Sequence, residues 1–280
     1  MFFLRPLAFI CGKNIIRTFA TSLLMCCLSV AGGCATLDGP PNPDDPLERY
    51  NRAMFSFNET MDRAILKPVA KGYDWLLPGI LSTAVTNFFS NLDDIVVFAN
   101  SLLQLKIQKA GETSARLVWN TTFGLLGLID VASHMDLPKQ NEDFGQTLAT
   151  WGVDSGPYFV LPFLGPSTVR DGLAVPVDWF LFDPIFQDKE LNVTLTALAI
   201  RYTDQRAGLL KAGDIIDATA PDKYAFLRDA YLQRRQYLIH EGAPPEGEFS
   251  EDELFSDDDL FKDDLELEED LDKDLEKELK

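Results

Sequence analysis

The first 33 residues decide which part of this chain can fold. Before Asp38 the only charged residues are basic, namely Arg5, Lys13 and Arg17. The apolar stretch TFATSLLMCCLSV follows them and ends in small residues, which is the pattern of an export signal that is cleaved off. A membrane anchor is the alternative, but the apolar run is short and no basic flank follows it. We therefore assign residues 1–33 to a signal peptide.

The residue after this signal is a cysteine in the sequence VAGGC, which resembles a bacterial lipobox. Cleavage before Cys34 would leave it as the N-terminal residue, and we expect it to carry N-acyl and diacylglycerol lipid. Cys11, Cys26 and Cys27 would be lost, so no disulfide could form within the mature chain. Ala35 occupies the position where Asp marks retention in the inner membrane, which favours the outer membrane. An incidental cysteine beside an ordinary cleavage site is the alternative.

Charge divides the rest of the chain into a body and a tail. Residues 246–280 hold 18 acidic residues against 4 lysines, whereas residues 34–245 hold 26 acidic against 18 basic residues. The few apolar side chains of the tail cannot offset the entropy of ordering it, which predicts disorder, although its leucines allow a helix on a partner. The tail would repel phosphates, so we expect no nucleic acid partner. We predict a linker over 34–44 and a helical domain over 45–245.

Helical periodicity dominates the body and predicts an all-α fold. In the segment DPLERYNRAMFSFNETMDRAILKP, we expect Asp45 to cap a helix, Pro46 to fit its first turn and Lys67-Pro68 to end it. We find no convincing run of alternating strands. Apolar residues recur at helical spacing in three sets: Leu47, Tyr50, Met54, Phe57 and Met61; Leu81, Val85, Phe88 and Leu92; and Ile95, Phe98, Leu102 and Leu105.

Two apolar segments break this helical pattern. FGLLGLIDVA occupies residues 123–132, and GPYFVLPFLGPSTVRDG occupies residues 156–172. Glycine and proline favour hairpins and bends, so the apolar side chains would lie on irregular backbone that is buried in protein or lines a cavity. A lipid is a reasonable neighbour for such segments, and buried loops are an equal alternative.

The sequence offers no recognisable catalytic or metal site. It lacks a phosphate-binding loop, a GxSxG nucleophile elbow, a CxxC pair and an HExxH motif. His134 and His240 are the only histidines. Ser133 and Asp130 lie near His134, but a catalytic triad is built across a fold and is not indicated by neighbours in sequence. We predict that the protein is not an enzyme and that it has no cofactor other than the lipid on Cys34.

Four segments of the body resemble the VacJ/MlaA family of outer-membrane lipoproteins. They lie in order between residues 45 and 239: DPLERYNRAMFSFN, NTTFGLLGLIDVA, FGQTLATWGVDSGPYFVLPFLGPSTVRD and DAYLQRRQYLI. The resemblance implies a donut-like all-α domain embedded in the inner leaflet of the outer membrane of a Gram-negative bacterium, anchored on the periplasmic side, with an amphipathic channel. Phospholipid misplaced in the outer leaflet would pass through this channel to a soluble periplasmic carrier, and trimeric porins would be partners.

The resemblance also supplies candidates for the residues that touch lipid or membrane, without indicating which of them do. A porin-associated structural lipoprotein without a transport role is the alternative function. Because the chain has no nucleotide-binding motif, the lipid gradient or a partner must set the direction of any transport. The candidates for the lipid path or for membrane contact are Phe57, Asn58, Phe123, Leu125, Leu126, Leu128, Ile129, Tyr158, Phe159, Leu161 and Phe163.

Overall fold

The structure is a computed structural model that describes residues 45–187 and 190–242. The signal peptide, the linker with Cys34 and the acidic tail all lie outside these residues. The chain forms two compact units, Met1–Tyr231 and Leu232–Lys280.

Helices make up most of the described part of the chain, and the predicted all-α class is confirmed. Short π-helical turns occupy Asp62–Leu66 and Asp178–Phe182, and short 3-10 helices occupy Ala132–Met135 and Pro184–Gln187. Within the described ranges, no helix combines the length and the apolar character needed to cross a membrane. The α-helices are α1 (Glu48–Met61), α2 (Lys67–Leu76), α3 (Gly79–Leu103), α4 (Ile107–Thr122), α5 (Phe144–Thr150), α6 (Val169–Val177), α7 (Leu191–Gly208), α8 (Leu210–Thr219) and α9 (Lys223–Ile239).

The first helix begins and ends differently from the sequence prediction. Asp45 does not cap α1, because the N-cap position is Leu47 and no side chain caps the helix. The buried carboxylate of Asp45 instead accepts hydrogen bonds from Asn51, at 2.9 Å, and from the hydroxyl of Tyr224. Lys67-Pro68 does not end the helical path either. The π-turn leads directly into α2, which carries the proline in its first turn.

A short β-hairpin interrupts the helices where the sequence predicted bends but no strands. β1 (Tyr158–Leu161) pairs antiparallel with β2 (Gly165–Thr168). The turn between them places Phe163 at a φ of 65° and Gly165 at 88°, and the left-handed region is unusual for phenylalanine. Strands of four residues are too short to produce a clear alternating pattern, which is why the sequence did not predict them.

Two asparagines of α1, seven residues apart, fasten this hairpin to the helix. The Asn51 side chain donates to the first carbonyl of β1 at 3.1 Å and accepts from the third N–H of β1 at 2.9 Å. Asn58 makes an equivalent pair of bonds, to the carbonyl of Leu161 at 2.9 Å and from the N–H of Phe163 at 2.7 Å. Seven residues are about two helical turns, so both amides project from one face of α1. The hairpin therefore runs along the helix.

The interior of the described part is polar. Among the described residues, buried polar or charged side chains outnumber buried hydrophobic ones, 20 to 11. A helix of a water-soluble domain normally turns its apolar stripe toward the core. In α3, by contrast, Leu81 and Leu102 of the predicted apolar stripe are exposed. The buried residues of this helix are Phe89, Asn91, Asp94, Val97, Asn100 and Ser101.

Candidate functional site

An apolar groove runs between α7 and the helical path formed by the π-turn and α2. It consists of two cavities, of about 420 Å³ and about 540 Å³, which share Val69, Ala199 and Thr203 in their walls. The smaller cavity reaches Phe163 at the hairpin tip, and the larger one reaches Leu76 at the end of α2. No charged side chain lines either cavity. Ligand pockets occupy about 300–1,000 Å³, so the groove has room for an elongated apolar ligand.

Three polar side chains in the walls of the groove are engaged by protein partners. The hydroxyl of Tyr73 donates to the carboxylate of Asp204 at 2.8 Å, and burial together with this hydrogen bond raises the pKa of Tyr73 to about 12. Thr196 donates to the carbonyl of Asn192 in its own helix at 2.7 Å. The Asn58 amide is held by the hairpin backbone. The walls therefore present mainly hydrocarbon to the space between them.

The hairpin tip borders the smaller cavity and brings predicted site residues together. Phe163 and Asn58 both line this cavity. The ring of Phe57 packs edge-to-face against that of Phe163, with centroids 5.2 Å apart. Leu161 is half-buried beside them and accepts the hydrogen bond from Asn58. The structure thus joins four of the sequence candidates at one end of the groove.

The other two hairpin candidates pack against protein. Tyr158 is 3% exposed, and its ring lies against those of Tyr224 and Tyr231, with centroid distances of 6.3 and 6.2 Å. Tyr158 therefore belongs to the core of the unit. Phe159 is half-buried and stacks on Tyr50, with their centroids 5.0 Å apart.

The other predicted apolar segment, residues 123–132, begins with an exposed apolar turn after α4. Its backbone is closed by hydrogen bonds from the N–H of Leu126 to Thr121 and from the N–H of Gly127 to Asn120. Gly127 has a φ of 91°, and an added Cβ would lie only 2.6 Å from that of Asn91, so the turn needs glycine here. None of its residues lines the groove. The exposed side chains are Phe123, Leu125, Leu126, Leu128 and Ile129.

A charged network lies beneath this turn. Arg116 is only 2% exposed, and its guanidinium donates to both carboxylate oxygens of Asp130 at 3.1 Å. Asn120 also donates to Asp130 at 3.1 Å. Partial burial opposes ionisation of Asp130, but hydrogen bonds from Ser133 and Arg116 outweigh it and lower its pKa to about 2. Sequence reasoning missed this network because arginine and aspartate are usually found at the surface.

Two further buried carboxylates are paired with cations. Asp94 of α3 accepts a hydrogen bond from Lys139 at 2.6 Å and lies 3.6 Å from the Arg116 guanidinium; burial nevertheless raises its pKa above the ordinary value. Glu142 is contacted by Lys106 at 3.0 Å and by Lys109 at 2.9 Å. Such pairs are needed because an unpaired buried charge is costly.

The described residues contain no cluster of three or more His, Cys, Asp and Glu side chains that could hold a metal ion. Ser133 donates its hydroxyl hydrogen bond to Asp130 at 2.5 Å. His134, its neighbour in sequence, is exposed.

Comparison with known proteins places this fold among bacterial lipoproteins. A family model described as MlaA lipoprotein matches residues 43–238. The intermembrane phospholipid transport system lipoprotein MlaA of Haemophilus influenzae is 35% identical over 202 residues, covering 71% of this chain and 80% of that protein. The protein of the same name from Escherichia coli is 32% identical, covering 71% and 79%. A protein of Rickettsia bellii is 34% identical over 216 residues, covering 74% and 81%.

A solved structure agrees with these sequence matches. It is described as the structural basis for maintenance of bacterial outer membrane lipid asymmetry, and it superposes with a TM-score of 0.62 at 32% identity, covering 70% of this chain and 98% of that chain. Exposed apolar segments around a polar interior are typical of a protein that contacts lipid or another apolar partner. The chain belongs to the MlaA lipoprotein family.

Proposed function

We propose that this protein removes mislocalised phospholipids from the outer leaflet of the outer membrane and passes them to a soluble periplasmic carrier. The observation that carries the proposal is an uncharged apolar groove in a domain whose interior is polar. Relatives named as lipoproteins of an intermembrane phospholipid transport system support it.

The physical problem of moving a phospholipid calls for both kinds of surface. A headgroup is costly to place in hydrocarbon, and acyl chains are costly to expose to water. The groove offers hydrocarbon walls, and the exposed turn at 123–129 offers apolar side chains to a surrounding bilayer. The domain would then lie in the inner leaflet with an amphipathic channel, beside trimeric porins. It performs no catalysis in this scheme.

Attachment to the membrane would come from lipid on Cys34. Each buried methylene contributes about 0.8 kcal/mol, so several acyl chains hold a protein firmly where one does not. The mature protein would be anchored in the outer membrane on its periplasmic side.

The proposal is tested by deleting the gene and measuring phospholipid in the outer leaflet. We expect the amount to rise in the null strain and to return to normal with the wild-type protein, but not with Cys34→Ser. Metabolic labelling with palmitate and an immunoblot for abundance accompany the measurement, and the variant should incorporate no label. An unchanged outer leaflet in the null strain would instead favour a porin-associated structural lipoprotein.

A further inference from the structure

We propose that the groove between α2 and α7 holds one acyl chain of a phospholipid, and that this chain enters from the bilayer at the corner where α2 meets α3. The inference rests on the proposed phospholipid transport and adds the position of the acyl chain and its route of entry.

The corner between the two helices has the character of a membrane-contacting surface. Trp75 and Ile80 are 86% and 85% exposed, and Leu76 and Leu81 are exposed beside them. No charged residue or histidine occurs in residues 75–92. Tryptophan favours the membrane–water interface, because there its apolar ring can contact hydrocarbon while its N–H stays hydrated. An apolar surface of this kind is therefore suited to the boundary of a bilayer.

The corner and the groove are continuous. Leu76 and Leu77 belong to the corner and also line the larger cavity. That cavity adjoins the smaller one at the shared wall residue Val69, and the smaller one reaches Phe163. A chain entering at the corner thus meets apolar walls all the way to the hairpin tip.

The length of the groove suits an acyl chain. Its walls run from residue 77 to residue 61, a distance of about 24 Å at about 1.5 Å per helical residue. The hydrocarbon core of a bilayer is about 30 Å thick, so the chains of one leaflet extend about 15 Å. An extended chain therefore fits within the groove. The charged headgroup stays outside, because no cation lines the walls to receive its phosphate.

The bilayer is the source of this chain because the domain is tethered beside it. Ten residues, 35–44, separate the predicted acylated Cys34 from Asp45, the first described residue, which makes eleven steps along the backbone. A fully extended linker of that length spans at most about 36–40 Å. The tether thus keeps the start of the domain within that distance of the membrane.

Gly72 provides a way to fill the groove without disturbing the fold. It lies in α2 and lines the larger cavity, and an added Cβ would meet no atom within 4 Å. Leucine at this position would project into the cavity and would replace a residue that disfavours helices. Gly111 of α4 has equally open surroundings but lines neither cavity. Gly111→Leu is therefore the matched control for Gly72→Leu.

The test uses the full acylated protein in vesicles that contain phosphatidylethanolamine with a photoactivatable diazirine on one acyl chain. After illumination, labelled peptides are mapped by mass spectrometry. We expect labels on residues 61–77 and 195–203 in the wild type and in Gly111→Leu. In Gly72→Leu these labels should be lost, while labelling of the turn at 123–129 stays unchanged. The thermal unfolding midpoint should match that of Gly111→Leu, because both substitutions replace a helical glycine.

Two results would overturn the inference. One is groove labelling that Gly72→Leu leaves unaltered, and the other is a wild-type protein labelled at the turn but never in the groove. The inference would also be overturned if an added porin protected the corner from labelling while the groove took up no lipid label. The gene-deletion experiment separates the two proposals, because a null strain that accumulates outer-leaflet phospholipid upholds the transport function even if the groove takes no acyl chain.

Discussion

The interior between α3 and α4 and the groove between α2 and α7 are built from opposite kinds of side chain. In the interior, the buried Arg116 forms an ion pair with Asp94, and Arg116 and Asn120 both donate hydrogen bonds to Asp130. In the groove, aliphatic and aromatic side chains line an open space that no charge reaches. A protein surrounded by water would normally place these chemistries the other way round. The inversion suits a domain with hydrocarbon on its outside.

The two regions also differ in how much change they tolerate. Hydrogen bonds and ion pairs are directional, so a buried network stabilises one arrangement and is costly to leave half satisfied. Contacts between apolar groups are not directional, and an exposed apolar side chain loses little when the hydrocarbon of a detergent replaces that of lipid around it. Substitutions in the interior should therefore act on stability, and substitutions on the apolar surface should act on function.

The largest effect is expected from Arg116→Ala in the interior. The variant leaves Asp130 and Asp94 without the guanidinium that pairs with them, and breaking a buried pair costs about 3–5 kcal/mol. Urea unfolding in mild detergent measures the change. Arg63→Ala is the control, since Arg63 is 74% exposed and pairs with Glu59 one turn away, which is worth about 0–1 kcal/mol. Equal losses in the two variants would contradict the importance of the interior network.

The second prediction concerns Leu126→Asp on the apolar surface. Leu126 is 68% exposed and has a positive φ, which aspartate tolerates better than leucine, so the folded protein should change by no more than about 0.5 kcal/mol in detergent. In the membrane a carboxylate costs about 2.5–3.5 kcal/mol at the bilayer centre and less near the interface. We therefore expect normal abundance and raised outer-leaflet phospholipid. Phe163→Asp should behave in the same way.

Val160→Asp is the contrasting variant for this prediction. Val160 is 1% exposed in β1, so a carboxylate there should unfold the protein and lower its abundance. Immunoblots and outer-leaflet phospholipid are measured on the same cultures. Degradation of Leu126→Asp would show that the turn is buried in a core. Full activity of that variant would show that the turn does not contact the membrane.

The smallest expected effect is a pH dependence of stability due to Asp130. Its pKa is lowered to about 2 in the folded protein from an ordinary value of 3.8. The contribution is therefore present above pH 3.8 and is lost as the pH falls toward 2, by on the order of 1 kcal/mol after allowance for solvent screening. Asp130→Asn should have a flatter dependence of unfolding free energy on pH over that interval. Parallel curves for the two proteins would show that the carboxylate gains nothing from its partners.

Sequence periodicity predicted the helices well and their ends poorly. The spacing from Leu47 to Met61 identified α1 correctly, because a helix repeats every 3.6 residues whatever surrounds it. Pro68 was expected to end this helical path, yet a π-turn precedes it and the path continues. Asp45 was expected to cap the helix and instead serves as a buried acceptor for Tyr224, a residue 179 positions later in the chain. Such distant partners are not visible in local patterns.

The candidate site was predicted only in part, again because local patterns do not reveal partners that are distant in sequence. Glycine and proline among leucines and phenylalanines indicated the turn at 123–129 and the hairpin tip at Phe163 as unusual apolar surfaces. The groove itself escaped detection, because Val69 and Ala199 come from helices that meet only in the folded chain. The burial of Asp94 was not predicted either. A carboxylate is expected at the surface unless a cation that pairs with it can be identified, and Lys139 and Arg116 are distant from Asp94 in the sequence.

Leu125 and Leu126 have φ values of 52° and 61°, so two consecutive leucines adopt a left-handed backbone. That conformation costs a non-glycine residue about 1–2 kcal/mol, and glycine would relieve it. A programme that selects variants for heat resistance alone would therefore favour glycine at both positions and discard two apolar side chains from this surface. Under the proposed membrane contact, greater robustness and retained activity call for different residues in this turn, and a thermostable version of this protein should be screened for lipid transport before it is adopted.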